Sequence, residues 1–173
     1  IGEVDYRREL DLDNAVVQIR YRVQQVNYQR EVFISAPHQV LVIRLTCSQP
    51  CGLNFRVVLD GDEQPYIVTS EGTDTLLMDN AALETQHSDG QVGVTGHARL
   101  TVKTDGGDSR IVSNQLIVSQ AHSATIFLAM GTSFGGNNPV AQCQKHIQAA
   151  VAISYTDLRT EHSLEHQHWS RRA

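Results

Sequence analysis

The sequence predicts a mainly β protein, an antiparallel β-sandwich followed by a pair of helices, and two patterns support this. Apolar and polar residues alternate with a period of two as far as Met130, as they do in half-buried strands. After Phe134 the apolar residues recur at helical spacing instead. No long crossover helix separates the short strand patterns, so the strands are expected to run antiparallel.

The strand patterns begin at once in the N-terminal third of the chain. They cover residues 6–13, 15–23, 28–37, 41–47 and 53–59. Turn-forming residues separate the patterns, namely Asp13-Asn14, Ala36-Pro37, Gln49-Pro50, Asp60-Gly61-Asp62, Ser88-Asp89-Gly90 and Asp105-Gly106-Gly107-Asp108. This spacing is typical of a β-sandwich or barrel.

Two helices are predicted after a Gly- and Asn-rich loop. Asn138 is a candidate N-cap with Pro139 at the first helical position, and Ser154 can cap the second helix. The second helix carries a stripe with nothing obvious to pack against, and we expect a neighbouring domain to cover it. The interdomain packing candidates on this stripe are Tyr155, Leu158, His162, His166 and Trp169.

Composition narrows the function classes. With 14 Lys and Arg against 19 Asp and Glu, the net charge is −5. Because nucleic-acid binding calls for a basic face, no nucleic-acid partner is expected. No apolar run approaches the roughly 20 residues of a membrane span, so no membrane partner is expected. Nothing in the sequence calls for a cofactor.

The sharpest chemical motif is the sequence His162-Ser163-Leu164-Glu165-His166. It has the form H-x-x-E-H, in which two imidazoles one helical turn apart can bind zinc. Five-residue motifs recur by chance, and a packed helix that reaches solvent explains the same residues. We therefore assign no metal site, and zinc binding at His162 and His166 stays open.

The cysteines leave one alternative open. Cys47 and Cys51 flank the turn predicted at Gln49-Pro50, so they form either a small disulfide in an oxidising compartment or two reduced thiols. Cys143 falls in the first predicted helix and is expected to be a small core residue.

Candidate carboxylates for glycosidic chemistry are scattered along the chain. They are Asp11, Asp13, Glu31, Asp60, Asp62, Glu63, Asp79 and Glu84. None stands in an apolar setting that would raise its pKa, and Glu31 follows Arg30 in a pattern that favours cross-strand ion pairs. We assign no catalytic residue and no cofactor-binding residue.

The chain resembles the N-terminal β-sandwich domain of glycoside hydrolase family 95, the α-L-fucosidase family. The resemblance begins with Tyr6-Arg7-Arg8-Glu9-Leu10-Asp11-Leu12 and continues in Arg30-Glu31-x-Phe33-x-Ser35-x-Pro37. Segments at 96–107 and 116–134 fit the late hairpin and the penultimate strand pair of that domain. The tail from Tyr155 to His166 looks like the linker helix that leads to the catalytic barrel.

The resemblance implies a division of the chain and a role for it. Residues 1–136 would be the sandwich domain, incomplete at its N-terminus, and residues 137–173 a helical linker toward an (α/α)6 barrel outside this chain. The opening inside a strand pattern, without a start Met, also favours a piece of a longer protein. The parent would be an extracellular or periplasmic exo-enzyme whose barrel hydrolyses terminal α-1,2-linked L-fucose with inversion.

Two consequences follow for the chain itself. Its partners would be the downstream catalytic domain and, through the parent, a fucosylated glycan or polysaccharide, while the fragment alone would be inactive. The alternative from another class is a free-standing carbohydrate-binding or protein-interaction β-sandwich.

Overall fold

The computed structural model describes residues 3–61, 65–83 and 92–172. The predicted turn at Ser88-Asp89-Gly90 and the carboxylates Asp62, Glu63 and Glu84 lie outside the described residues.

The described residues contain eleven strands and two α-helices. The strands are β1 (Glu3–Asp11), β2 (Val16–Val23), β3 (Val26–Ser35), β4 (Val40–Cys47), β5 (Leu53–Val57), β6 (Tyr66–Glu71), β7 (Thr75–Leu83), β8 (Val92–Asp105), β9 (Asp108–Val112), β10 (Gln115–Ala121) and β11 (Ser123–Thr132). A 3₁₀ turn (Phe134–Gly136) leads to α1 (Pro139–Val151) and α2 (Tyr155–Ser170).

The described strands form two antiparallel sheets of different size. The large sheet has eight strands in the order β1-β2-β3-β4-β11-β8-β7-β6, and the small sheet has three in the order β5-β10-β9. Consecutive strands pair antiparallel along β1–β2–β3–β4 and β6–β7–β8. The turns predicted at Asp13-Asn14 and Ala36-Pro37 connect β1 to β2 and β3 to β4. The prediction of a mainly β, antiparallel sandwich with two C-terminal helices is confirmed.

Each face of the large sheet has its own core. On β11 the neighbours Ile126 and Phe127 belong to different clusters, because successive side chains point to opposite faces. Phe127 joins the cluster beneath the helices, with Val42, Ile147 and Leu158. Ile126 joins the cluster beneath the small sheet. The architecture is therefore three layers, with helices, large sheet and small sheet stacked in that order.

Both helices begin as their sequences predict. The Asn138 side chain accepts a hydrogen bond from the Ala141 amide at 3.1 Å, with Pro139 in the first turn. The Ser154 hydroxyl oxygen accepts from the Asp157 amide at 3.1 Å. Each cap satisfies one of the backbone donors that a helix start leaves unpaired. α1 then lies across β8 and β11 and buries Cys143, Ile147 and Ala150.

Candidate functional site

The most distinctive site that the sequence nominates is the stripe along α2, and the structure covers most of it from within this chain. Leu158 is fully buried and belongs to the same cluster as Val16, Phe33 and Phe127 of the large sheet. His162 is 4% exposed and stacks on Phe33 with ring centroids 4.7 Å apart. Since the sheet already covers these side chains, Leu158 and His162 are not free to pack against another domain, contrary to the expectation.

The two imidazoles of the H-x-x-E-H motif hold α2 to the turn between β1 and β2. The His162 Nε2 lies 3.1 Å from the carbonyl oxygen of Ala15, and the His166 Nε2 lies 2.9 Å from that of Leu12. A carbonyl oxygen only accepts, so both imidazoles donate from Nε2. The Gln167 amide adds a bond to Asn14 at 3.3 Å. The motif thus acts as a clasp between the last helix and the first turn.

This clasp leaves the motif unsuited to zinc. Each Nε2 is engaged with a backbone carbonyl, and the Nδ1 of His162 is buried without a partner. Among the described residues, no group of three or more His, Cys, Asp or Glu side chains could hold a metal ion. The geometry therefore supports the interpretation of these histidines as packing residues.

A polar cluster anchors the start of α2 on the large sheet. The Tyr155 hydroxyl donates to Glu31 at 2.7 Å, and the Arg159 Nε lies 3.5 Å from the same carboxylate. The Arg44 guanidinium carbon stands 5.2 Å from the centre of the Tyr155 ring. Burial, and then the hydrogen bond to Glu31, raise the pKa of Tyr155. At neutral pH Tyr155 is thus a protonated donor within the domain.

Trp169 is the member of the predicted stripe that stays available to a neighbour. It is 59% exposed, with the Arg172 guanidinium 5.5 Å from its ring centre and the His168 ring against its edge. Trp169 lies beyond the last clasp residue, His166. Of the five interdomain candidates, it alone keeps most of its side chain in solvent.

The described carboxylates serve the fold. Asp11 accepts from the side chain and the amide of Asn14, which lowers its pKa and closes the β1–β2 turn. Asp60 accepts from the Tyr66 hydroxyl at 2.7 Å. Asp79 lies 2.7 Å from the Nδ1 of His97. The structure thus assigns these three carboxylates to turns and hydrogen bonds of the fold.

Sequence reasoning missed a row of buried polar residues on β8. His97, Arg99 and Thr101 alternate with the apolar residues of that strand and lie on the face that α1 covers. Arg99 forms an ion pair with Glu71 of β6, the edge strand of the large sheet, and this contact lowers the pKa of Glu71. The strict alternation of His97-x-Arg99-x-Thr101 was the available signal, but nothing in the sequence shows that a helix covers this face.

The cysteines are all free thiols in the structure. Cys51 is exposed and Cys47 partly buried, and their sulfurs approach a histidine nitrogen and a backbone oxygen instead of each other. Cys143 is fully buried beneath α1, as predicted. Burial raises the pKa of its thiol.

Comparison with known proteins identifies the chain. Residues 3–137 match the family model described as glycosyl hydrolase family 65, N-terminal domain. The chain belongs to this family. The prediction of a glycoside hydrolase N-terminal domain is therefore confirmed, while the assignment to family 95 in particular stays a prediction.

Curated relatives of this N-terminal domain include two fucosidases. Alpha-L-fucosidase 2 of Arabidopsis thaliana is 27% identical to it over 95% of this chain, which corresponds to 22% of the plant protein. Probable alpha-fucosidase A of Aspergillus niger is 24% identical over 96% of this chain and 23% of the fungal protein. The N-terminal domain thus spans less than a quarter of the length of both relatives.

A solved structure supports the fold. A putative kojibiose phosphorylase from the human microbiome matches 98% of this chain and 25% of its own, with a TM-score of 0.65 and 10% sequence identity. At that identity the likeness concerns the fold alone. Within the described residues, neither helix is long and apolar enough to cross a membrane.

Proposed function

We propose that this chain is the non-catalytic N-terminal domain of an exo-acting α-L-fucosidase of the family 95 type. In this proposal a barrel elsewhere in the parent protein hydrolyses terminal α-1,2-linked L-fucose with inversion. The supporting observation is the similarity to two fucosidases along 95–96% of this chain but only 22–23% of theirs. The carboxylates of Asp11, Glu31, Asp60 and Asp79 are engaged in turns, hydrogen bonds and ion pairs, which is consistent with chemistry located elsewhere.

The experiment compares the 173-residue chain with the longer protein encoded by its reading frame. We expect no hydrolysis of 4-nitrophenyl α-L-fucoside by the chain alone and measurable turnover by the parent. Proton NMR of the first sugar released then reports the anomeric configuration, and β-L-fucose is the product expected from inversion. Turnover by the 173 residues alone would contradict the proposal.

The role of the domain in the parent is to support the catalytic domain. Trp169 is placed for this contact because α2 leaves it 59% exposed next to the clasp. A large aromatic side chain at an interface contributes more than most contacts. In the parent, Trp169→Ala is expected to weaken the association of the two domains while leaving the isolated N-terminal domain as stable as before.

The substrate and location follow from the same proposal. A secreted or periplasmic parent would meet fucosylated glycans or polysaccharide, and cell fractionation of the source organism tests this location. The free-standing carbohydrate-binding alternative predicts saturable binding of a fucosylated oligosaccharide by the 173 residues in calorimetry. The accessory-domain proposal predicts no such binding without the barrel.

A further inference from the structure

One face of the large sheet is apolar far beyond the part that the small sheet covers. Direct cross-strand partners form the row Leu76–Leu100–Leu128–Leu41–Ile34 across β7, β8, β11, β4 and β3. Leu76 and Leu100 are 0% and 5% exposed beneath the small sheet, whereas Ile34 at the far end is 70% exposed. Every residue of the row is apolar, but the small sheet covers only the part of the row on β7 and β8.

A second row repeats the pattern next to the first. Its members are Val102, Ile126, Ile43, Val32, Val17 and Leu10, again in direct register across neighbouring strands. Val102 is 2% exposed and Leu10 is 59% exposed. A sheet face that meets water normally carries polar side chains, so two apolar rows that run into solvent mark a surface made to be covered.

The opposite face of the same strands shows what a solvent face looks like in this protein. On β1 and β2 that face presents Glu9, Gln18 and Arg20, and Arg20 bonds to Gln18 and lies 4.0 Å from Glu9. The hairpin is therefore amphipathic, and its apolar side is the one without a cover among the described residues. We call the exposed end of the two rows, Leu10, Val17, Val32, Ile34, Leu41 and Leu128, the open face.

The side chains of the two apolar rows give the open face no polar anchor. The rows carry no hydrogen-bonding side chain, so a sugar would find few partners for its hydroxyl groups there.

We propose that the open face is covered by an apolar segment of the parent polypeptide that lies outside residues 1–173. This rests on the proposed function, in which the chain is part of a longer protein. It differs from that proposal in naming the sheet face, and not only the end of α2, as the contact surface. A parent of the same length as the matched proteins would have enough further polypeptide to provide this segment, since this chain corresponds to only 22–25% of them.

The test uses a matched pair of substitutions in the 173-residue chain and in the parent. Ile34→Asp alters the open face, and Ile67→Asp is the control, since Ile67 is 68% exposed on β6 in the opposite orientation. In the short chain we expect each to change the thermal midpoint by no more than about 2 °C, because both sites face water. In the parent, Ile34→Asp should lower the midpoint of this domain by about 5 °C or more, because it buries a carboxylate.

A second measurement needs no substitution and so survives a variant that fails to fold. Met130 is 73% exposed at the same end of this face, and Met78 is the other methionine of the chain. Under dilute hydrogen peroxide we expect Met130 to be oxidised about tenfold more slowly in the folded parent than in the short chain. Equal oxidation rates, together with equal effects of Ile34→Asp in both proteins, would overturn the proposal.

Two other outcomes are distinguished by the same experiment. If light scattering shows the short chain as a dimer that Ile34→Asp converts to a monomer, a second copy covers the open face and the proposal is overturned. A parent that protects Met130 but hydrolyses no fucoside would defeat the proposed function and still support this inference.

Discussion

Tyr155 illustrates how a single side chain joins the helical layer to the sheet. Its ring packs on Phe33, with centroids 6.2 Å apart, and its hydroxyl reaches Glu31, which is 124 residues away in sequence. Helical spacing predicts that Tyr155 lies on the same stripe as Leu158, and it does. The carboxylate that accepts its hydrogen bond could not be predicted, because the register between α2 and β3 depends on packing and not on local sequence.

Replacing Tyr155 with Phe tests this contact. At neutral pH we expect a loss of about 1 kcal/mol in the free energy of unfolding, since one hydrogen bond to the partly buried carboxylate of Glu31 is removed. The wild-type pKa is raised by folding, so its contribution is fully present below the ordinary tyrosine pKa and is lost as pH rises above it. Urea titrations from pH 7 to 11 should show a shallower alkaline decline in Tyr155→Phe than in wild type.

The same titrations on Tyr6→Phe supply the control, since Tyr6 is 55% exposed. If the free energy of unfolding of Tyr155→Phe falls with rising pH as steeply as that of wild type, ionisation of Tyr155 does not cause the alkaline loss of stability.

At the scale of the element, α2 shows what periodicity can and cannot predict. The sequence predicts the helix, its Ser154 cap and the shared face of Leu158 and His162, because these depend on neighbours three or four residues away. It does not predict what covers that face. An apolar stripe fits a missing domain and a nearby sheet equally well, and here the β2–β3 surface provides the cover.

Two leucines on α2 separate packing from helix propensity. Leu158 is fully buried and Leu164 is 62% exposed. We expect Leu158→Ala to lower the free energy of unfolding by about 2–5 kcal/mol through lost burial and a residual cavity. Leu164→Ala should change it by no more than about 0.5 kcal/mol. Chemical denaturation of both variants makes the measurement, and similar losses would mean that α2 is not docked as described.

At the scale of the whole molecule, two cores lie back to back on one large sheet. The alternation of β11, with Ile126 on one side and Phe127 on the other, couples them through a single strand. Period-two patterns predict the fold class and the strands of the N-terminal third, but they do not single out β6, β7 or β9. They could not predict the order β4-β11-β8, because the strand that lies between β4 and β8 comes from much later in the chain.

Thiol labelling measures the opening of this assembly. Cys51 is exposed, whereas Cys143 is fully buried and has a raised pKa. A thiol reagent should therefore modify Cys51 at once and Cys143 only as the molecule opens, because the reactive thiolate is both shielded and scarce. A Cys47→Ser/Cys51→Ser double variant isolates the slow phase, because Cys47 is also a free and only partly buried thiol. Immediate reaction of Cys143 in that variant would contradict the placement of α1.

The clasp between the first turn and the last helix also has a consequence during synthesis. The Ala15 carbonyl gains its hydrogen-bond donor only when His162 is translated, 147 residues later. At ribosomal speeds of about 5–20 residues per second, that delay is roughly 7–30 s. During this period β1, β2 and β3 are synthesised without their helical cover, so Val16 and Phe33 are exposed to solvent. We therefore expect the nascent polypeptide to bind chaperones that recognise apolar β-strand segments.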